Sequence, residues 1–353
     1  MEQRRKKKHH FIEAKFKKSI MPESINLQHG SGGEKQTELL NNLIFKNLGN
    51  EFLNKKHDGA FLNLSGKLAF SSDSFVVSPI FFKGGNIGEL AVYGTVNDIS
   101  MCGAEPKYLS LSFIIEEGFS MDDFEKIIHS IKLATEKVGV QIVTGDTKVV
   151  ERGKGDKIYI NTSGIGVIYD NAKIGIEHIK PNQTIIINRD IASHGMAIMS
   201  EREGLKFDSE ILSDTKNLNF EVKKLIENFG EKIHFLRDAT RGGLASVLNE
   251  ITSESNLGIH LFEDKILVQK QVKSACELLG LDPMYVANEG TFLCVCDNEI
   301  ADEVLETLKR AHHNASKIGF ITEEHAGKVI MESAFGGKRV VNPLIGEQLP
   351  RIC

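Results

Sequence analysis

Apolar and polar positions alternate along this chain in blocks that read as strands and helices with no fixed repeat. Residues 68–77 are apolar and β-branched enough for a strand, interrupted by Asp73. Ile87–Met101 carries Leu90, Val92, Val96 and Ile99 at helical spacing, and 108–115 reads as a second strand. Ser120 supplies a helix cap, Asp122 and Asp123 an acidic first turn, and Gly139 a C-terminal stop. Strands are expected at 140–149 and Ile158–Ile168, around a polar loop at 151–157.

A second series begins near Tyr169. It comprises a buried-type strand at 183–188, a helix over 239–252 opening on Gly242-Gly243, and a strand at 290–296. A helix over 298–312 and strands at Ser316–Thr322 and 328–332 complete it. Strands and helices mixed in both halves give an α+β fold in two domains, with the boundary around 168–182 where Asp170, Asn171 and Pro181 break the pattern. The expected division is a basic disordered extension over 1–24, a first domain over 25–170, a second over 171–341 and a tail over 342–353. Pro343, Gly346 and Pro350 suit that tail to an extended, mobile arm rather than an element.

Length and composition narrow the function. The 353 residues suffice for two cores, and 41% hydrophobic with 26% charged residues is ordinary for a globular protein. No apolar run approaches membrane-spanning length, and a net charge of −5 argues against nucleic acid as the main partner. The basic cluster Arg4 to Lys8 lacks the apolar core of a secretory signal and reads as a solvated extension. Five cysteines form no disulfide framework, so the compartment reads as reducing and cytoplasmic. Cys294 and Cys296 read as buried strand thiols, and Met101 with Cys102 as helix core.

Three acidic residues stand inside otherwise apolar segments: Asp73, Asp98 and Asp146. Each costs several kcal/mol there unless satisfied. A shared Mg²⁺ against phosphate would satisfy all three, while a cap or turn hydrogen bond serves any one of them equally well. Gly30-Ser31-Gly32-Gly33 precedes a helical pattern and can turn backbone N–H groups toward phosphate oxygens. Neither GxxxxGK[ST] nor GxGxxG occurs, so a nucleotide would need another scaffold.

The segments His29-Gly-Ser-Gly-Gly, Asp73-Ser-Phe-Val-Val, Gly94-Thr-Val-Asn-Asp-Ile-Ser-Met-Cys-Gly-Ala, Thr144-Gly-Asp-Thr-Lys, Arg237-Asp-Ala-Thr-Arg-Gly-Gly-Leu and the terminal Pro350-Arg-Ile-Cys together resemble the HypE hydrogenase expression/formation family over roughly residues 25–353. The resemblance implies a PurM-like fold: an N-terminal domain that binds ATP with Mg²⁺ and forms a homodimer through its sheet, followed by an α+β domain. It implies ATP-dependent dehydration of a carboxamide on Cys353 to a thiocyanate, the cyanide source for nickel–iron hydrogenase. The carbamoyltransferase HypF would load the sulfur, and a HypC–HypD complex would accept the cyanide. Asp73, Asp98 and Asp146 would hold the metal. Gly32, Gly33, Thr95, Asn97, Gly145 and Asp238 would line the nucleotide. Lys148 would neutralise phosphate charge and Glu289 would act as base. Local readings stand beside these: a strand-end lysine, a turn glutamate, and an Asp238–Arg241 lock within one turn. A small-molecule kinase or synthetase of the same superfamily, or a non-catalytic ATP-binding scaffold, are the alternatives.

Overall fold

The computed structural model describes residues 22–204, 210–346 and 349–353. The basic extension expected over 1–24 therefore lies outside the described residues except for 22–24, where Ser24 bridges to Ser120.

The first half opens with α1 (Glu34–Leu39), continued by a π turn into α2 (Phe45–Leu48). Then come β1 (Leu68–Phe75), the short ribbon β2 (Phe81–Phe82) and β3 (Gly85–Asn86), α3 (Ile87–Met101), β4 (Ala104–Glu116), α4 (Met121–Val138), β5 (Gln141–Val150) and β6 (Ile158–Ile168). The long strands form one sheet in the order β1-β6-β4-β5. Only β4 and β5 run parallel, and α4 supplies the crossover that such a pair requires. Along β1 the odd positions Ala69 and Phe75 are buried against α3, whereas Phe70 on the other face is 71% exposed. Ile114 of β4, 47% exposed, shares that uncovered face.

The second half contains β7 (Thr184–Ile187), α5 (Ser193–Arg202), α6 (Asn219–Phe229), β8 (Ile233–Asp238), α7 (Gly243–Ser255), β9 (Gly258–Phe262) and α8 (Lys270–Leu279). It ends with β10 (Phe292–Cys296), α9 (Ala301–Lys309), β11 (Ser316–Thr322), β12 (Val329–Glu332) and β13 (Lys338–Val340). The strands make a seven-stranded sheet, order β13-β12-β9-β11-β7-β10-β8. Cores lie on both of its faces, so every residue of β10 is buried, Cys294 and Cys296 included.

Two of the connections that bind the halves bear on the site. Residues between α5 and α6 cross onto the first half, where Ser213 N–H donates to Lys83 O at 2.9 Å and Leu218 N–H to Asn97 Oδ1 at 2.8 Å. The chain end makes the other, described below.

Some sequence expectations shift. The helix expected over 239–252 begins at Gly243, because Ala239 still pairs with Thr291 and Gly242 and Gly243 both take positive φ to turn the chain. A side chain at Gly243 would also lie 2.6 Å from Val286 O. The helix expected over 298–312 starts as a 3₁₀ turn and ends at Lys309. Cys102, expected in the helix core, is the exposed C-cap of α3; only Met101 is buried. The sequence patterning gave no expectation for α2, α5, α6, α8, β8 or β9. Among the described residues no helix is long and apolar enough to cross a membrane.

Candidate functional site

Asp73 lies on the α3-facing side of β1, and Asp98 lies on α3 opposite it. Ser71, two residues before Asp73 and on the same face, donates its hydroxyl to Asp98 at 2.6 Å. From the second half, β8 delivers Asp238 and the loop before β10 delivers Glu289, both buried. Carboxyls gathered in one dry place resist ionising together. Burial, then the charge of Asp98, pushes Asp238 up to about 7. Burial, then neighbouring Asp214, holds Glu289 well above the usual carboxylate range. Asp98 is raised by burial and by Asp73, against the Ser71 hydrogen bond. One cation answers this charge directly: Arg241, ahead of α7, pairs with Asp73 at 2.9 Å across the domain boundary. The Asp238–Arg241 lock considered from sequence is thereby replaced, since Asp238 turns inward while Arg241 reaches over to β1.

The tail ends inside this cluster. Val76 N–H donates to Cys353 O at 3.0 Å and Ser78 N–H to Arg351 O at 3.2 Å, an antiparallel pairing that continues β1 past its end. Ile352 is 4% exposed and belongs to the first-half core. The Cys353 thiol meets the Arg241 guanidinium, and Glu289 and Asp73 stand near it. Burial above all, then the negative charge of Glu289, pushes that thiol up to about 12. The free arm expected from its prolines and glycine is thus a docked one over 349–353.

The remaining expected residues fall elsewhere. Asp146 and Lys148 pair with each other at 2.8 Å on β5, the edge of the sheet opposite β1. The register aligns Asp73 with Thr162, Leu111 and Gly145, so Asp146, one residue on, faces the uncovered side of the sheet. Three strand spacings separate the two edges, about 14 Å. Within one subunit Asp146 therefore stands apart from Asp73 and Asp98. Among the described residues no three His, Cys, Asp or Glu side chains converge to hold a metal ion. The glycine loop belongs to the β5 end: Gly30 packs on Val149 and Gln36 reaches Thr147 O. Gly32, at φ +84°, has open space beside it, and Gly33 caps α1. Beneath α1 and α2, a cavity of about 130 Å³ is lined by Phe45, Phe52, His57, Ile142, Gly145 and Asp146. Gly145 presses on the β4 backbone at Leu111, which leaves no room for a side chain.

Thr95 and Asn97 both point into the interior. Thr95 is fully buried with its hydroxyl 2.6 Å from Thr162 Oγ1. Asn97 accepts from Leu218 N–H and donates to Lys216 O and, at 3.5 Å, to Glu289 O, fastening the loop that carries Glu289. His29 caps its own turn through Asn26 N–H.

Three functional neighbours went unread in the sequence. Asp214 accepts from the N–H groups of Glu289 and Gly290 and from the Thr291 hydroxyl at 2.9–3.1 Å. His194 and Arg202 of α5 hold the tail. None of the three carries a motif, and only long-range folding brings them to the site.

Comparison with known proteins agrees with this geometry. The AIR synthase related protein N-terminal domain matches residues 56–168 and the corresponding C-terminal domain residues 180–332. The chain is 47% identical to carbamoyl dehydratase HypE of Bradyrhizobium diazoefficiens over 333 residues, covering 93% of this chain and 96% of that protein. It is 39% identical to carbamoyl dehydratase HypE of Escherichia coli over 339 residues, covering 94% and 99%. Among solved structures, hydrogenase maturation protein HypE in complex with ATP superposes with a TM-score of 0.90 at 45% identity over 93% of this chain and 99% of that one. The HypE–HypF complex gives 0.77 at 44% identity over 87% and 99%. Thiamine monophosphate kinase of Aquifex aeolicus, at 17% identity and TM-score 0.57, shares the fold alone.

Proposed function

The chain belongs to the HypE family of hydrogenase-maturation proteins within the AIR-synthase-related group, and from that premise we propose that it is an ATP-dependent dehydratase whose substrate rides on its own Cys353 sulfur. The observation that carries this reading is the terminal thiol lodged beside Glu289, Arg241 and Asp73. A C-terminal residue with no catalytic use has little reason to sit among buried carboxyls.

The chemistry divides between two positions of the tail. Loading by a carbamoyltransferase needs the thiolate. In the docked site, with the thiol at about 12, that form is on the order of 10⁻⁵ of the total at neutral pH. Loading therefore belongs to a withdrawn tail. The HypE–HypF complex solved for a relative supports HypF as the loading partner. A neutral thiocarboxamide then re-enters the buried site at lower cost than a thiolate.

In the docked state the amide oxygen attacks the γ-phosphorus of ATP and ADP departs. The new C–O–P carbon sheds inorganic phosphate in place of hydroxide, and the two N–H protons leave, so S–C(=O)NH₂ becomes S–C≡N. Glu289 takes a proton from the nitrogen; a carboxyl raised by burial is a stronger base than an ordinary one. Arg241 stands where charge develops beside the sulfur. The thiocyanate then passes to a HypC–HypD acceptor, as the family resemblance implies.

Asp73, Asp98 and Asp238 are oxygen donors of the kind Mg²⁺ takes, two of them raised by burial and mutual repulsion against the charges of Arg237 and Arg241; since no three of the described side chains converge on one point, phosphate oxygens would have to complete the ion's shell. When bound, the ion supplies charge neutralisation to the phosphates. The apolar cavity beneath α1 and α2 suits the base, with the glycine loop and Lys148 toward the phosphates. Because those groups and the carboxylate cluster occupy opposite edges and faces of one sheet, we propose that the uncovered face packs on a second copy. The Asp146–Lys148 half-site of one subunit then meets the Cys353 half-site of its partner.

Infrared spectra of carbamoylated protein tests the chemistry. ATP addition is expected to produce a nitrile stretch that shifts when the carbamoyl carbon is ¹³C. A spectrum without a nitrile band after ADP has formed overturns the proposal.

A further inference from the structure

The docked tail is held largely by its main chain, from one side by the segment after β1 and from the other by one helix of the second half. Arg202, at the end of α5, donates Nη1–H to Pro350 O at 2.6 Å and Nη2–H to Arg351 O, while its Nε–H goes to Ser78 O beside the end of β1. One guanidinium therefore joins the last residues of the chain to the strand they extend. Two turns earlier on α5, the fully buried His194 places Nε2 at 2.9 Å from Ile352 O. A carbonyl only accepts, so Nε2 carries the hydrogen, and in the neutral ring Nδ1 accepts from the Ser213 hydroxyl at 2.8 Å. Phe82 sets the ring plane edge-on, with centroids 5.5 Å apart.

We infer that His194 and Arg202 form a clamp that captures the consecutive carbonyls of Pro350, Arg351 and Ile352, and that this capture, rather than any attraction for the sulfur, places the loaded Cys353 beside Glu289. The inference rests on the dehydratase reading above and assigns positioning, not catalytic, roles to both residues.

Three features support it. Carbonyl contacts are indifferent to what the sulfur bears, so the same grip serves thiol, carboxamide and thiocyanate in turn. The grip is charge-assisted at two carbonyls, whereas the Arg351–Asp156 pair lies half-exposed at the surface, where an ion pair contributes little. The clamp also meets the base: Ser213, which fixes the His194 ring, is followed by Asp214, which accepts from the N–H of Glu289 at 3.1 Å. One dipeptide thus sets both the tail's anchor and the loop of the base.

The test uses the full-length protein with Arg202→Gln, Arg202→Lys and His194→Phe, the last keeping ring shape while removing the donor. Four quantities are measured: alkylation of Cys353 by iodoacetamide, carbamoylation by the transferase, ATP binding, and ATP-dependent loss of water from the carbamoylated terminal peptide. Arg202→Gln and His194→Phe are expected to speed alkylation about tenfold and slow water loss about tenfold, as befits a lost buried or charge-assisted hydrogen bond. Carbamoylation and ATP binding should hold, and Arg202→Lys should recover part of both effects. Unchanged alkylation in folded variants overturns the clamp. Should a variant fail to fold, Asp156→Asn loosens the tail from the surface side and is expected to raise alkylation less than Arg202→Lys does; the reverse order also overturns it. Alkylation needs no dehydration, so a protein that never loses water yet shows faster alkylation in the variants keeps the clamp and rejects the dehydratase reading.

Discussion

As the proposed base, Glu289 is buried among carboxyls that raise it further. Asn97 and Asp214 hold its backbone, so the carboxyl is placed by bonds that do not consume it. Glu289→Gln keeps the shape and removes the base. ATP-dependent loss of water is expected to slow by about 10²-fold or more, with carbamoylation of Cys353 retained, as rapid-quench mass spectrometry would show; an unaltered rate places the base elsewhere. His194 offers a second reading at this scale. Burial lowers it from 6.5, against the pull of Asp214, so the folded ring is neutral. Its contribution to stability is complete above 6.5 and is lost as pH falls through the lower folded value, because the unfolded chain takes the proton first. Against the raised carboxyls, which gain stability on acidification, His194 subtracts: from pH 7.5 to 5.5 the melting temperature of His194→Gln should shift upward relative to the wild type. The sequence singled out Asp73 and Asp98 as carboxyls inside apolar segments, and Glu289 and Cys353 through the family resemblance. His194, Arg202 and Asp214 were not singled out, because nothing in their own segments is unusual; their partners are 148 or 158 residues away for the α5 pair.

At the scale of elements, the strands were readable where one face is buried and the other is not, as in β1 and β6. Helix α5 resists such reading: Ser193 to Ile198 are all buried, so no polar stripe marks a face. Helix α6 shows Val222, Leu225 and Ile226 at three-and-four spacing, a stripe of little more than one turn. Asp146 was placed with Asp73 and Asp98 because sequence alone does not give strand order or the face a residue takes. The tail illustrates the same limit, since prolines and a glycine describe a backbone without a regular element but not the groove that receives it. Its anchor is Ile352 in the core. Ile352→Ala is expected to weaken docking by about 2 kcal/mol, roughly 30-fold in the docking equilibrium, seen as faster deuterium exchange at Val76 and Ser78 with the global melting temperature nearly unchanged. Unchanged exchange at both amides would mean the tail is not held by that side chain.

For the whole molecule, the exposed Phe70 and Ile114 lie on the sheet's uncovered face, and the proposed dimer would bring together the half-sites at its two edges. Phe70→Glu with Ile114→Lys should convert a dimer to a folded monomer in sedimentation equilibrium and abolish ATP-dependent turnover; a wild-type monomer that turns over rejects the shared site. The central claim, that the last sulfur carries the substrate through an ATP-dependent dehydration, is tested most directly by the mass of the C-terminal peptide. In a time course with carbamoyl phosphate, ATP and the carbamoyltransferase, that peptide should first gain the carboxamide on Cys353 and then lose one water, and early removal of nucleotide should freeze the remaining carboxamide until fresh ATP is added. A carboxamide that persists unchanged while ATP is consumed would contradict it.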